Sequence, residues 1–457
     1  MRRKIGLIGA GKSTSYLIAY LLDKSDKEGI LLHIADQSFD QLDPKYINHP
    51  NLVLHKANML DDQQRSKWIA SMNLVISMLP ARFHHLVARD CIDSRVQMLT
   101  ASYVSDEIKA MEAEISAKGL LFIFEMGVDP GIDHMSAKQV IDRIKSQGGK
   151  MLLFESFTGG LVAPQSDDNL WNYKFTWNPR NVVVAGQGGA AKFLQEGTYK
   201  YIPYQKLFRR TEFLDIEGFG KFEAYANRDS LKYQSAYELD DIRTLYRGTI
   251  RKVGFSRAWN LLVELGITDD SYRISNSKGM SYRAFTNMFL PYSPTNTVEL
   301  KLRHYLKIDQ DDIVWDKLID LNLFKDDCYI EIDNGTPAEI LQEILSKKWS
   351  LKESDKDMIV MYHQFGYELN GEFKQIDASM GVIGSDHRYT AMAKTVGLPL
   401  GITAIQMLNN KFNLKGIQIP IHKDIYEIVL KELNEYGIHF KERECEYLGY
   451  NPEVIGL

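Results

Sequence analysis

Short apolar runs alternate with amphipathic stretches through the first third of the chain. Residues 4–8, 31–35, 52–56, 74–77, 97–100 and 120–124 read as strands, and 13–22, 61–71, 83–94 and 105–118 as helices. The helix at 61–71 opens with acidic residues that suit its N-terminal dipole, and the one at 105–118 is closed by Gly119. Strands and helices in this alternation predict βαβ units and a parallel sheet. Beyond Asp129-Pro130-Gly131 the pattern changes. A helix is expected at 134–146, stopped by Gly148-Gly149, and a longer strand at 150–157. Up to about residue 250, strand-like runs mix with aromatic residues and the glycine turns Gly159-Gly160, Gly188-Gly189 and Gly218-x-Gly220, which predicts an α+β domain. Helical periodicity takes over at 257–265, 297–305, 313–321 and 337–346. Strands return at 357–365 and 373–379, before a helix over 389–408 broken at Leu398-Pro399. The fold class is therefore α/β: an N-terminal Rossmann-type doubly wound parallel sheet, plus an α+β domain with a small all-helical insertion.

Length and composition narrow this further. The 457 residues suit about three domains, or two with a large insertion. With 44% apolar and 25% charged residues, there is material for more than one core. The net charge, 55 − 60 = −5, carries no long single-sign block, so neither nucleic acid nor a membrane surface is an expected partner. Cys91, Cys328 and Cys445 lie far apart, outside any zinc-type spacing. No metal is expected, and a reducing, cytoplasmic setting is. The start, Met1-Arg2-Arg3-Lys4 and then Ile5 to Gly11, faintly imitates a signal peptide, but Lys12 interrupts the apolar stretch. No run approaches the ~18 apolar residues that would span a bilayer.

The sharpest local signal is Gly6-Leu-Ile-Gly9-Ala-Gly11-Lys12-Ser13, which matches two templates. From Gly6 it fits the phosphate loop of nucleotide hydrolases, and from Gly9 the GxG core of a dinucleotide fingerprint, with Thr14 in the third glycine's place. A phosphate loop needs a full strand before its first glycine. Only five residues precede Gly6, four of them Met, Arg, Arg and Lys, so Ile5, Leu7 and Ile8 must form the strand themselves. The dinucleotide template is preferred. Gly9, Ala10 and Gly11 would let the backbone approach a pyrophosphate at the next helix N-terminus, beside Lys12 and Ser13. Asp36 stands 25 residues beyond Gly11, near the ~20-residue spacing of a ribose-binding acid. A carboxylate there repels a 2′-phosphate, and Asp36-Gln37-Ser38 offers no cation, so NAD is favoured over NADP. Ligands of such a sheet sit beyond the carboxyl ends of its strands. Ser77-Met78-Leu79-Pro80, Ala101-Ser102-Tyr103 and Glu125-Met126-Gly127-Val128-Asp129 reach that edge. Asp129 and Tyr103 are the candidate catalytic groups by placement.

With these segments in place, the chain resembles the saccharopine reductase (saccharopine dehydrogenase, L-glutamate-forming) family. The resemblance rests on Ala101-Ser-Tyr-Val-Ser105, Gly127-Val-Asp-Pro-Gly-Ile-Asp-His134, Gly159-Gly-Leu-Val-Ala-Pro164, Tyr173-Lys-Phe-Thr-Trp177 and Asn227-Arg-Asp-Ser230. Arg247-Gly-Thr-Ile-Arg251, Asp357-Met-Ile-Val360, His363-Gln-Phe-Gly366 and Met392-Ala-Lys-Thr-Val-Gly397 extend it across nearly the whole length. It implies a dinucleotide-binding domain over 1–130, rejoined by about 390–457. A substrate and dimerisation domain would span 131–255 and 350–390, with a helical insertion over 256–349. The implied reaction oxidises saccharopine to L-glutamate and 2-aminoadipate 6-semialdehyde, or runs in reverse, in a homodimer.

Saccharopine carries three carboxylates, which call for guanidinium groups. The resemblance implies that Arg228 and the stretch Arg247, Gly248 and Thr249 hold them; salt bridges to Asp229, Asp240 or Asp241 are the competing reading. It also implies that Ser102, Tyr103 and Asp129 contact the substrate near the reacting carbon, Asp129 either as general base or as a binder of the amino group. Ser77, Met78, Leu79, Ala101, Val128 and Thr176 would line the coenzyme. Many relatives carry a cysteine before the Gly-Gly pair, where this chain has Thr158. His84 and His85 read as packing or surface groups, and His134 and His363 as capping or core hydrogen-bonding groups. A lysine or carboxynorspermidine dehydrogenase, a silent dinucleotide-binding regulator and a phosphate-loop hydrolase are the competing functions.

Overall fold

A computed structural model describes residues 2–449. The chain forms two compact units. One holds the described residues up to Lys150 together with Met380–Lys441; the other holds Met151–Ser379 and the described residues from Glu442 on. Residues 450–457 of the expected C-terminal return lie outside the described residues.

In the first unit the apolar runs form β1 (Arg3–Ile8), β2 (Ile30–Asp36), β3 (Leu52–Lys56), β4 (Leu74–Ser77), β5 (Gln97–Leu99) and β6 (Leu121–Ile123). The strand Gly416–Gln418 joins them in the order Gly416–Gln418, β6, β5, β4, β1, β2, β3, every pairing parallel. Ile5, Leu7, Leu32, Ile34, Val75 and Ile76 are wholly buried, as strands covered on both faces require. The order reverses at β1, so a crevice opens beyond the carboxyl ends of β1 and β4.

Helix α1 (Ser15–Glu28) follows β1 and ends at Gly29, which is left-handed at φ 61°. It packs against the helix Ala391–Leu408, which runs unbroken through Pro399. The break expected at Leu398-Pro399 is absent: Gly397 and Gly401 seat this helix against α1. A β-carbon on Gly397 would lie 2.7 Å from Leu17 N, and one on Gly401 2.5 Å from Tyr20. Ala391–Leu408 also corrects the expectation that no run is long and apolar enough to cross a membrane. It meets that length and composition, yet 83% of it is buried inside the protein, as suits a core helix.

The second unit is built on a mixed sheet. Its strands are β7 (Lys150–Val162), β8 (Ala191–Gln195), β9 (Thr198–Ile202), β10 (Thr211–Ile216), β11 (Gly220–Ala226), β12 (Thr244–Lys252), β13 (Asp357–Leu369) and β14 (Glu372–Ile383). The order is β10, β11, β12, β7, β13, β14 and then Lys441–Cys445, with the β8–β9 hairpin attached to β12. Gly159-Gly160 is no turn. It lies inside β7, where a β-carbon on Gly159 would stand 2.8 Å from the Ile250 carbonyl oxygen. Between residues 255 and 349 lie the helices Phe255–Leu265, Tyr282–Met288, Val298–Leu306, Ile313–Asp320 and Pro337–Trp349, joined by irregular segments. The last opens with a capping box of Thr336 and Glu339, with Pro337 at its first position. These helices share one apolar core with the sheet, and Trp259 and Trp349 pack their rings around Trp171.

Candidate active site

The two glycine templates are separated by geometry. Gly6 sits within β1, paired with His33 of β2 and Val75 of β4. A β-carbon there would stand 2.7 Å from the Trp68 ring, so the glycine makes room for Trp68 rather than for a phosphate. The loop begins at Gly9, whose φ is 97°. Gly9 N donates to Ala35 O at 3.0 Å, and a β-carbon on Gly9 would meet Met78 O at 3.2 Å. Met78 N in turn donates to Ile8 O at 2.8 Å, which brings the segment after β4 beside the loop. Gly11 and Lys12 are exposed and Ser13 half-buried. Thr14 Oγ1 donates to Gly11 O at 2.8 Å and caps no N–H group of α1. The first amides of α1 thus keep their donors for an anion, which fits a dinucleotide pyrophosphate.

Asp36 closes β2 beside this loop. Its Oδ2 accepts Ala10 N at 2.6 Å, and its Oδ1 accepts Gln37 N at 2.6 Å and Ser38 N at 3.2 Å. The carboxylate therefore ties the glycine loop to the end of β2. Three N–H donors hold it there in its ionised form.

Beyond β4, β5 and β6, the predicted edge residues come together. Ser77 is buried at the end of β4, and Met78 and Leu79 are half-buried after it. Ala101, Ser102 and Tyr103 are half-buried after β5. The segment after β6 turns sharply. Gly127 N donates to Pro130 O at 2.8 Å and Gly131 N to Asp133 Oδ1 at 2.6 Å. A β-carbon on Gly131, at φ 146°, would lie 2.1 Å from Gly127 O, so glycine is required there. This turn buries Val128 and leaves Asp129 half-buried, with the Tyr103 hydroxyl 3.5 Å from Asp129 Oδ1. Glu125, left-handed at φ 59°, accepts from Val104 N at 3.3 Å through Oε1 and lies 2.8 Å from His134 Nε2 through Oε2. His134 is thus a core hydrogen-bonding group.

His84 is buried, as its expected packing role implies, and it also makes two polar contacts. It is 2% exposed, lies 2.9 Å from Ser77 Oγ and 2.7 Å from Ser102 Oγ, and so connects two predicted edge residues. Burial, with His85 adding to it, pushes its pKa down to about 4. Its spacing from Ser77 was visible in the chain, but its reach to Ser102 depends on sheet order.

The remaining predicted residues belong to the second unit. Arg247 is buried on β12, its guanidinium 4.6 Å from the Tyr233 ring centre and its backbone N–H donating to Ser230 Oγ at 3.0 Å. Gly248 follows, where a β-carbon would stand 2.7 Å from the Phe157 ring. Thr249 pairs with Thr158 across β12 and β7. Thr158 is buried, and its Oγ1 has no hydrogen-bond partner among the described residues; the same holds for Thr176 Oγ1. Arg228 is exposed and left-handed at φ 48°, just past β11. Of the acids weighed as its partners, Asp229 engages Lys192 at 3.3 Å and caps Leu231 N at 3.0 Å, and Asp240 accepts Ser235 Oγ at 2.8 Å.

Comparison with known proteins matches two family models. Residues 5–123 match the saccharopine dehydrogenase NADP binding domain, and residues 127–438 the saccharopine dehydrogenase C-terminal domain. The mitochondrial alpha-aminoadipic semialdehyde synthase of Bos taurus is 31% identical over 448 residues, covering 96% of this chain and 47% of that protein. The chain spans about half the length of the mammalian relatives it matches. The saccharopine dehydrogenase [NADP(+), L-glutamate-forming] of Saccharomyces cerevisiae is 30% identical, covering 84% of this chain and 87% of that protein. The apo saccharopine dehydrogenase (L-Glu forming) structure from Saccharomyces cerevisiae superposes with a TM-score of 0.85 at 28% identity, covering 97% of this chain and all of that one.

Proposed function

Because the chain belongs to the saccharopine dehydrogenase family, we propose that it oxidises saccharopine to L-glutamate and 2-aminoadipate 6-semialdehyde, or runs the reverse reaction. The observation that carries this reading is the Asp129–Tyr103 pair, an acid and a hydroxyl 3.5 Å apart at the strand edge where a dinucleotide would present its reactive ring. When bound there, a nicotinamide coenzyme accepts the hydride. Asp129 takes a proton from the protonated secondary amine of the substrate, which frees the nitrogen lone pair to form the C=N bond as hydride leaves the adjacent carbon. Water then adds to that carbon, and the carbinolamine collapses to the amine of glutamate and the aldehyde. Tyr103, within reach of Asp129, carries the proton that the departing amine needs. In the first unit Ser102 contacts the substrate; for the second unit the family resemblance implies that Arg228, Arg247 and Thr249 hold carboxylates, the two arginines as forks.

We assign NADP as the preferred coenzyme. The names of the matched domain model and of the yeast relative support it. The opposite preference rested on the Asp36 carboxylate and on the lack of a cation in Asp36-Gln37-Ser38; in the structure that carboxylate accepts three backbone N–H groups. The test mixes purified protein with saccharopine and either coenzyme, follows absorbance of the reduced form and assays glutamate. Turnover with a higher kcat/KM for NADP is expected. Coenzyme binding without turnover supports a silent regulator instead, and a clear preference for NAD returns Asp36 to the role of ribose reader.

A further inference from the structure

Four polar side chains line up between the end of β4, the helix His84–Ser94 and the segment after β5. Ser77 Oγ lies 2.9 Å from His84 Nδ1, and Ser102 Oγ lies 2.7 Å from His84 Nε2. Thr100 Oγ1 is 3.4 Å from the same Nε2 and donates to the Ser77 carbonyl at 2.8 Å. Burial keeps the imidazole neutral near pH 7, so one ring nitrogen donates and the other accepts. Thr100 decides which. Its single proton goes to the Ser77 carbonyl, so toward His84 its oxygen only accepts. Nε2 faces that oxygen as well as Ser102 Oγ, and therefore carries the N–H. Nδ1 is then the acceptor, and it receives the Ser77 hydroxyl proton. Ser102 Oγ takes the Nε2–H, which turns its own proton away from the ring.

We propose that His84 is a positioning residue that holds the half-buried Ser102 hydroxyl as an outward hydrogen-bond donor to a carboxylate of the substrate. The substrate class rests on the function proposed above. In the other tautomer the Ser102 proton would lie on the ring, leaving only oxygen lone pairs to face an anion. His84 thus turns a freely rotating serine into a donor of fixed direction, and it acts on the substrate only through Ser102.

Two measurements test this. Nitrogen-15 NMR of the histidine-labelled full chain should show His84 with Nε2 protonated and Nδ1 bare over about pH 5–8. An Nδ1–H tautomer overturns the proposal, whatever the enzyme does. In turnover, His84→Ala and Ser102→Ala should each raise the KM for saccharopine about tenfold and leave the coenzyme KM unchanged. The double variant should cost no more than either single one, because the residues act as one unit. Additive losses, or a raised coenzyme KM in place of the substrate effect, overturn it. If His84→Ala fails to fold, His84→Gln and His84→Asn serve instead. The glutamine amide reaches the Nε2 position and should restore near-normal KM, whereas asparagine should not; equal KM values for the two overturn the proposal. Absence of saccharopine turnover by the wild-type protein removes the substrate assignment, and the tautomer measurement then decides the positioning role by itself.

Discussion

Asp36 and Arg228 make different demands on their neighbours, and their substitutions should separate the two ligands. The Asp36 carboxylate accepts Ala10 N at 2.6 Å, so Asp36→Ala leaves a loop N–H without its partner and loosens the glycine turn. Losing a hydrogen bond to a charged group costs about 1.5–3 kcal/mol, which corresponds to a rise of roughly ten- to a hundredfold in coenzyme KM. Initial rates at saturating saccharopine check it, and an unchanged coenzyme KM would remove Asp36 from the loop's support. Arg228→Ala should do the reverse: saccharopine KM rises by a similar factor, about ten- to a hundredfold, and coenzyme KM stays put. The residue types were readable from their motifs. The engagement of Asp36 was not, because the partner of a carboxylate is set by which strand ends lie side by side.

At the scale of elements, the contact between α1 and the helix Ala391–Leu408 depends on two glycines one turn apart. Gly397 faces Leu17, and Gly401 faces the ring of Tyr20. Gly397→Val should destabilise the protein by about 1–3 kcal/mol through overpacking, measured as a lowered thermal or denaturant midpoint. A neutral outcome would mean that the two helices separate at little cost. The long strands and most helices were visible in their periodicity. The three-residue strand Gly416–Gln418 was not, since so short a run carries no period. Gly159-Gly160 misled for a related reason: glycine signals a turn locally, but here it admits the backbone of β12 close to β7.

For the whole molecule, burial sets the two units in opposite relation to pH. In the first unit, His33 and His84 are each pushed down to about 4, both chiefly by burial. The unfolded chain therefore binds more protons than the folded one between about pH 6.5 and 4, and their contribution is lost as pH falls through that window. In the second unit, burial foremost, with Glu212 and Glu196 adding repulsion, raises Glu155 to about 8. Folded Glu155 holds its proton where the unfolded chain has released it, so its contribution is present below about pH 4.5 and lost as pH rises toward 8. The two histidines should thus cost the first unit stability in mild acid, and Glu155 should cost the second stability as pH rises. Calorimetric melts across pH should show the high-pH loss diminished in Glu155→Gln, and an unaltered profile in that variant would contradict the assignment.

The order of apolar runs and the glycine loop were enough to indicate a dinucleotide-binding α/β fold, because periodicity and turn chemistry are local properties, and the ordered motifs carried the resemblance to the family. Tertiary structure alone showed that Gly6 serves Trp68, that Asp36 holds its own loop, and that His84 joins Ser77 to Ser102. Each depends on which helices and loops the parallel strand order sets side by side. A hydrogen bond is decided by distance in space, and local pattern carries no record of it.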